Sequence, residues 1–309
     1  MNNLLIFLMC IFLSSFANKA FGYEYQKKQY DLHVVHILKL NPSEYQALIV
    51  KANDGKRGRE TVSSIANRYN ASIAINAGFF EIGGDLDGKP SGSLIIEGKP
   101  YGIMNHKQSL VIIENNIISL VESKAGKYVN NKNISLVSGS QMLLKNGKIP
   151  QELINDKNDF CIGRHARTAV GIDKNKQIII IVAEHLYKKD ITSMTLGELQ
   201  SFLKDKGTLL ASKFNKKDVG DISLSQFKQI LKEEFGPKSN ETKGLTLIEL
   251  AKLMLDLGCT KAINLDGGGS CALWINGSLV NNTFGDKDEA SGEKVERKVS
   301  DAIIFKKNN

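Results

Sequence analysis

The chain has 309 residues, 42% hydrophobic and 24% charged, with a net charge of +8 and a pI near 9.1. That length carries one large domain or two smaller ones with a full core, and the composition is that of a globular protein rather than a disordered one. The positive balance favours an anionic partner, but Lys and Arg are scattered without interleaved aromatics and no nucleic-acid-binding signature occurs, which sets nucleic acid aside.

Leu4 to Phe16 is a 13-residue apolar run, short for a bilayer span and of the length of a signal-peptide core. Small residues at Ala20-Phe-Gly22 offer a cleavage site, so residues 1–22 read as a signal peptide and the mature chain is expected to be exported, to the periplasm or the medium. Met1-Asn-Asn3 lacks Lys and Arg, which leaves an uncleaved anchor as the alternative. No later segment reaches transmembrane length. Cys10 lies in the signal, and Cys161, Cys259 and Cys271 lack zinc-site spacing. They are expected to be buried free thiols, with neither metal nor cofactor.

Along the chain, two alternating runs between Tyr30 and Val50 flank Asn41-Pro42 and suggest paired strands. After a charged loop, Val62, Ile65, Ala66 and Tyr69 share one helix face. Ala71 to Phe80 reads as a buried strand that ends in Asn76-Ala-Gly-Phe-Phe80. A glycine-rich polar loop holds Asp85 and Asp87, and short strands with turns follow to Val121. Ser135 to Leu144 reads as one apolar strand before the Asn146-Gly147 turn. Arg164 to Asp173 and Gln177 to Ala183 form a hairpin around Lys174-Asn-Lys. Beyond Glu184 the texture is Lys-rich and helical to Lys243. Thr246 to Leu257 is a helix with a Thr246/Glu249 capping box and Gly258 at its C-terminal end. A buried strand leads into Asp266-Gly-Gly-Gly-Ser270, then come a strand pair (Cys271 to Val280), an acidic loop and a closing strand to Phe305. The sum is α+β: a multi-stranded mixed or antiparallel sheet with packed helices and a small helical insert.

Three glycines at a strand exit leave backbone N–H groups able to face an anion, between Asp266 and Ser270. The turn lacks a P-loop lysine and a dinucleotide fingerprint. Asn76, Arg167-Thr168 and Arg297 also stand at strand mouths. Two arginines with turn amides would clamp a phosphate, and a carboxylate beside them would serve as nucleophile or base.

The blocks Ala74-Ile-Asn-Ala-Gly-Phe-Phe80, Arg167-Thr-Ala-Val-Gly171, Gly244-Leu-Thr-Leu-Ile-Glu-Leu250, Ala262-Ile-Asn-Leu-Asp-Gly-Gly-Gly-Ser270 and Glu296-Arg-Lys-Val-Ser300 resemble, in this order, the phosphodiester glycosidase family. The resemblance implies hydrolysis of a sugar-1-phosphodiester, of the N-acetylglucosamine-1-phosphate type, to free sugar and phosphomonoester. It implies catalytic roles for Asp266 and Glu184. Asn76, Arg167, Thr168, Gly267, Gly268, Gly269, Ser270 and Arg297 would bind the substrate, a small or polymeric sugar phosphate. Two departures stand out. Glu184-His185 replaces the Asp-Gly that similar sequences carry, and a segment is inserted at 188–243, dividing a domain of residues 23–187 and 244–309. The insert resembles paired EF-hand loops with capping boxes at Thr195/Glu198 and Ser223/Gln226. Lys217, Val219 and Gln226 occupy ligand positions, so calcium is not expected. Packing, a cover for the site or a homo-oligomer contact are its expected uses. The competing readings are a non-catalytic envelope protein that binds phosphoglycan and a phosphodiesterase that cuts the P–O bond away from the sugar.

Overall fold

The computed structural model describes residues 14–18, 22–30, 33–185, 204, 212, 215–217, 219–223, 225–227, 244–283, 285–287 and 294–308. It divides into two compact units, residues 1–185 with 243–309, and residues 186–242. The strands of the first unit begin with β1 (Ser14–Asn18), β2 (Tyr23–Gln29), β3 (His33–Leu40) and β4 (Tyr45–Lys51); helix α1 (Val62–Tyr69) then precedes β5 (Ile73–Asn76). Next come β6 (Leu94–Ile96), β7 (Lys99–Gly102), β8 (Gln108–Glu114), β9 (Ile117–Ser123), β10 (Ile134–Ser138) and β11 (Met142–Leu144). Short helices α2 (Gln151–Asn155) and α3 (Asp159–Ile162) lead to the hairpin β12 (Arg167–Asp173) and β13 (Ile178–His185). Helix α4 (Leu247–Asp256) precedes β14 (Cys259–Asn264), β15 (Leu273–Ile275), β16 (Ser278–Leu279), β17 (Asp286–Lys287), β18 (Lys294–Val295) and β19 (Asp301–Lys307).

Three sheets carry the unit, in the orders β1-β2-β3-β13-β12-β14-β11, β7-β6-β10-β8-β9 and β16-β15-β5-β19-β4, with β17 and β18 as a separate pair. The pairings within the sheets are antiparallel. Alternation sends one set of side chains to each face of a strand. Leu38, Val182, Val170 and Ile263 of the first sheet therefore meet Ile73, Ile75, Ile303 and Phe305 of the third, with Leu94 and Val111 of the second closing the same core. The opposite face of the first sheet, through Val35, Ile181 and Ala169, packs on Leu247, Leu250, Ala251 and Met254 of α4. Helix α1 covers the outer face of the third sheet with Val62, Ile65 and Ala66 against Ala74 and Ile304. The result is a sheet-dominated α+β fold.

Local signals explain the helices. Thr246 caps α4 and forms both contacts of the capping box with Glu249, satisfying two orphan donors of the first turn. Gly258 follows with φ +83°. Two pairings differ from the sequence reading. Strands β3 and β4 do not pair with one another; β3 lies between β2 and β13 while β4 pairs with β19. Ser135 to Leu144 is two strands, β10 and β11, in different sheets. The break falls at Gly139, where a Cβ would lie 2.3 Å from the Asn264 carbonyl oxygen, so the backbone crosses between layers at the one residue without a side chain.

In the second unit, Ser223 N–H donates to Gln226 Oε1 at 2.9 Å and Gln226 N–H to Ser223 Oγ at 3.2 Å, the reciprocal contacts of a capping box. Thr195, Glu198, Cys10 and the His185 side chain lie outside the described residues, as do residues 1–13 and 19–21 of the expected signal. Among the described residues no helix is long and apolar enough to cross a membrane.

Candidate active site

The ends of β5 and β14 and the starts of β12 and β19 converge, and buried polar side chains knit them together. Asn76, at the end of β5, is fully buried. Its Nδ2 donates to the Asp266 carbonyl at 2.7 Å, and its Oδ1 accepts from Thr168 Oγ1 at 2.8 Å and from Ala272 N–H at 3.2 Å. Leu265 N–H donates to the Thr168 carbonyl at 2.9 Å. Buried amide and hydroxyl groups carry a penalty unless paired; here each finds its partner in another segment of the chain. Asn76, Thr168 and Asp266 are thus brought together.

Asp266 lies just past β14, with its backbone N–H on the Ala77 carbonyl at 2.9 Å. Its Oδ1 accepts from Gly267 N–H at 2.8 Å, and the buried Ser270 side chain lies close enough to favour the charged carboxylate. Burial pushes the carboxyl up to about 6, and the Asp301 charge adds to this; Ser270, Gly267 and Arg297 pull the other way. A carboxyl poised near neutrality is fitted to take a proton.

The glycine turn is less open to an anion than its composition suggests. Gly267 N–H serves Asp266, Gly268 N–H donates to the Ala166 carbonyl at 2.8 Å, and Ser270 N–H to the Gly267 carbonyl at 3.1 Å. Residues Gly268–Ser270 close a 3₁₀ turn, which folds its amides back on its own carbonyls. The Gly269 amide has no partner among the described residues. Gly269 also seats Arg297: a Cβ there would lie 2.6 Å from the guanidinium carbon. Arg297 Nε donates to Asp286 Oδ1 at 3.0 Å and Nη2 to the Gly285 carbonyl at 2.7 Å, with the side chain 24% exposed. This arginine therefore stands beside the turn with donors in reach of solvent.

Arg167 is placed differently. It is 1% exposed; Nε donates to the Leu245 carbonyl at 3.0 Å, and Nη2 to the carbonyls of Phe160 at 2.6 Å and Gly163 at 3.0 Å. The guanidinium lies 4.7 Å from the Phe160 ring centroid, and burial draws its pKa down to about 10. These contacts make it a strut between β12, α3 and the residue before Thr246. Backbone carbonyls thus hold Arg167 by Nε and Nη2, whereas Arg297 stands beside the glycine turn.

Glu184 is likewise held elsewhere. Its side chain accepts from the backbone N–H of Asn282 through Oε2 and from Asn282 Nδ2 through Oε1 at 3.3 Å. His36 Nε2 lies 3.3 Å from Oε1, off the line of a hydrogen bond, and Tyr25 Oη contacts His36 Nδ1 at 2.7 Å. Burial, then the Glu184 charge, raises the Tyr25 phenol to about 12. Glu184 thereby pins Asn282 to β13, and the buried Cys271 thiol feels the charges of both Asp266 and Glu184. Cys161, Cys259 and Cys271 are buried free thiols.

The carboxylate that sequence reading missed is Asp301, fully buried at the start of β19. Its signal is a charged residue abutting the apolar run Ala302-Ile-Ile-Phe305, the mirror image of Asp266 after Ile263-Asn-Leu265. In the glycine-rich loop, Asp87 pairs with Arg59 at 2.8 Å and Asp85 with Arg57 at 3.5 Å, so both acids are matched by arginines. A polar cavity of about 260 Å³ opens beside His106, Gln108, Ser140, Gln141 and Asp156; Asp266 does not line it.

The phosphodiester glycosidase family profile matches residues 69–213 and 235–306. An uncharacterized protein of Rickettsia conorii is 23% identical over 293 residues, covering 62% of this chain and 99% of its own. Among solved structures, the catalytic domain of zebrafish N-acetylglucosamine-1-phosphodiester alpha-N-acetylglucosaminidase, auto-inhibited by its pro-peptide, superposes with a TM-score of 0.63 at 19% identity, covering 97% of this chain and 83% of that one. A hypothetical protein from Synechocystis superposes with a TM-score of 0.56 at 14% identity over 95% of this chain and 63% of its own. These structures share the fold. With most of its length matched by the family profile, the chain belongs to the phosphodiester glycosidase family.

Proposed function

We propose that the protein hydrolyses the glycosidic bond of a sugar-1-phosphodiester, of the N-acetylglucosamine-1-phosphate type, and releases free sugar and a phosphomonoester. The observation that carries this reading is Asp266, a carboxyl raised to about 6 at the convergence of four strand ends and beside the Arg297 guanidinium. A phosphate group leaves readily once its charge is met. Arg297 and the Gly269 amide supply that charge complement, and ionised Asp266 attacks C1 or removes a proton from the attacking water. The bond between C1 and the phosphate oxygen breaks, its electron pair leaves with the phosphate, and water supplies the new C1 hydroxyl. Asn76 and Thr168, both fully buried, hold the Asp266 loop in register. Export by the N-terminal apolar segment belongs to the same reading, and the substrate is then an envelope or extracellular sugar phosphate.

Incubation with a panel of sugar-1-phosphodiesters, followed by product analysis, tests the proposal. Free reducing sugar supports it. Sugar-1-phosphate would instead identify a phosphodiesterase, and binding without product a phosphoglycan-binding protein.

A further inference from the structure

We propose that Asp301 is the second carboxylate of this site, a positioning residue that is set across the Ala77–Gly78 peptide from Asp266 and acts on the reaction through it. The inference rests on the reading that Asp266 reacts. One peptide unit joins the two acids: the Ala77 carbonyl accepts from Asp266 N–H at 2.9 Å, and Gly78 N–H donates to Asp301 Oδ1 at 2.6 Å. Ala77 N–H closes the same arrangement on the Asp301 carbonyl at 3.3 Å. Gly78 is required here, because a Cβ would lie 2.9 Å from Asp301 Oδ1 and 2.9 Å from Val137 Cγ2. The Asp301 carboxylate thus packs against the Ala77–Gly78 turn, to which the Asp266 backbone is bonded.

Asp301 is 0% exposed, and its Oδ2 has no hydrogen-bond partner among the described residues. A buried carboxylate oxygen without a donor is costly, even though the other oxygen serves Gly78 N–H. The groups that face it are Gly78 N–H, Ser300, Lys51 and Asp266. The Ser300 hydroxyl donates to the Gly88 carbonyl at 3.1 Å, and Lys51 Nζ, on the neighbouring strand β4, donates to the carbonyls of Gly88 at 2.9 Å and Ser300 at 3.0 Å. Lys51 makes no direct ion pair with Asp301, so the negative charge is tempered rather than quenched. Asp266 is faced by Ser270, Gly267 N–H, Arg297 and Asp301. Of these, Asp301 is the one that disfavours ionisation, as a like charge in a poorly solvated place does. Asp301 has no access to substrate; it acts through Asp266, making it a stronger base than a carboxylate alone beside Arg297 and two donors.

Two measurements test this. The first is the pH profile of kcat/KM on a sugar-1-phosphodiester for the wild type and Asp301→Asn, which reports the free-enzyme base. The acid limb is expected to move to lower pH in the variant, with KM little changed. A limb that stays in place, however large the loss of rate, would overturn the proposal and leave Asp301 merely structural. The second uses carbon-13 shifts of the aspartate side-chain carboxyls. In the wild type, the Asp266 and Asp301 carbons should each sense both ionisations of the coupled pair, and Asp266 should titrate lower in Asp301→Asn. Independent single-step titrations in the wild type would overturn the proposal even if the variant does not fold. Because this readout needs no turnover, coupled carboxyls in a protein that releases no sugar would leave the inference standing and remove the glycosidase reading.

Discussion

Asp266→Asn is expected to abolish sugar release and at the same time to stabilise the folded protein at neutral and higher pH. The folded carboxyl is raised from 3.8 to about 6, so between those values the folded state keeps a proton that the unfolded chain gives up. Stability from this group is therefore present at low pH, falls as pH rises through that window and is fully lost above it. At about 1.36 kcal/mol per pKa unit the penalty approaches about 3 kcal/mol at pH 8. Asparagine keeps an oxygen for Gly267 N–H and has no charge to desolvate, so the variant escapes the penalty. The assay is urea unfolding of both proteins from about pH 4 to about pH 8, taking the difference in unfolding free energy at each pH. The difference should grow in favour of the variant by roughly 2–3 kcal/mol across the range. A difference that does not change with pH would refute the assignment of a raised pKa to Asp266, whatever the effect on activity.

Arg167→Lys removes the bonds to Phe160 and Gly163 together with the ring stacking, and should cost about 3 kcal/mol of stability by urea unfolding; a fully stable variant with abolished turnover would restore Arg167 as a phosphate clamp. Glu184→Gln takes an acceptor from Asn282, so unfolding free energy should fall by about 1–3 kcal/mol while kcat of the folded fraction stays within about tenfold. Unchanged stability with kcat lost by about 1,000-fold would make Glu184 a reacting group. Gly269→Ala pushes on the Arg297 guanidinium and on the Gly285 backbone and should lower kcat/KM about 100-fold; wild-type kinetics would show that the seating of Arg297 on the turn takes no part.

Much of the fold was legible because alternation and caps act locally. The α4 capping box, the β12–β13 hairpin and the polar ends of the buried strands could be read from neighbours in the chain. Which sheet a strand joins is a long-range matter. Asn41-Pro42 marks a turn equally well for a hairpin and for a crossing between layers, and so β3 and β4 looked like partners. The site was legible in its residue types but not in their duties. Arg167 and Arg297 are indistinguishable as letters; that one is walled in by the carbonyls of Phe160, Gly163 and Leu245, and the other rests on Gly269, depends on segments far apart in sequence. The same holds for the carboxylates. Glu184 closes an apolar run as Asp266 does, yet Asn282 meets it from a segment far along the chain, while Asp301 reaches the Ala77–Gly78 turn only because β19 lies beside β5.

The position of bond cleavage tests the central claim most directly. Hydrolysis of a sugar-1-phosphodiester in oxygen-18 water should place the label on C1 of the released sugar and none in the phosphomonoester, and Asp266→Asn should release no labelled sugar. Label in the phosphate product, or equal labelling by the Asp266→Asn variant, would contradict an Asp266-dependent attack at C1.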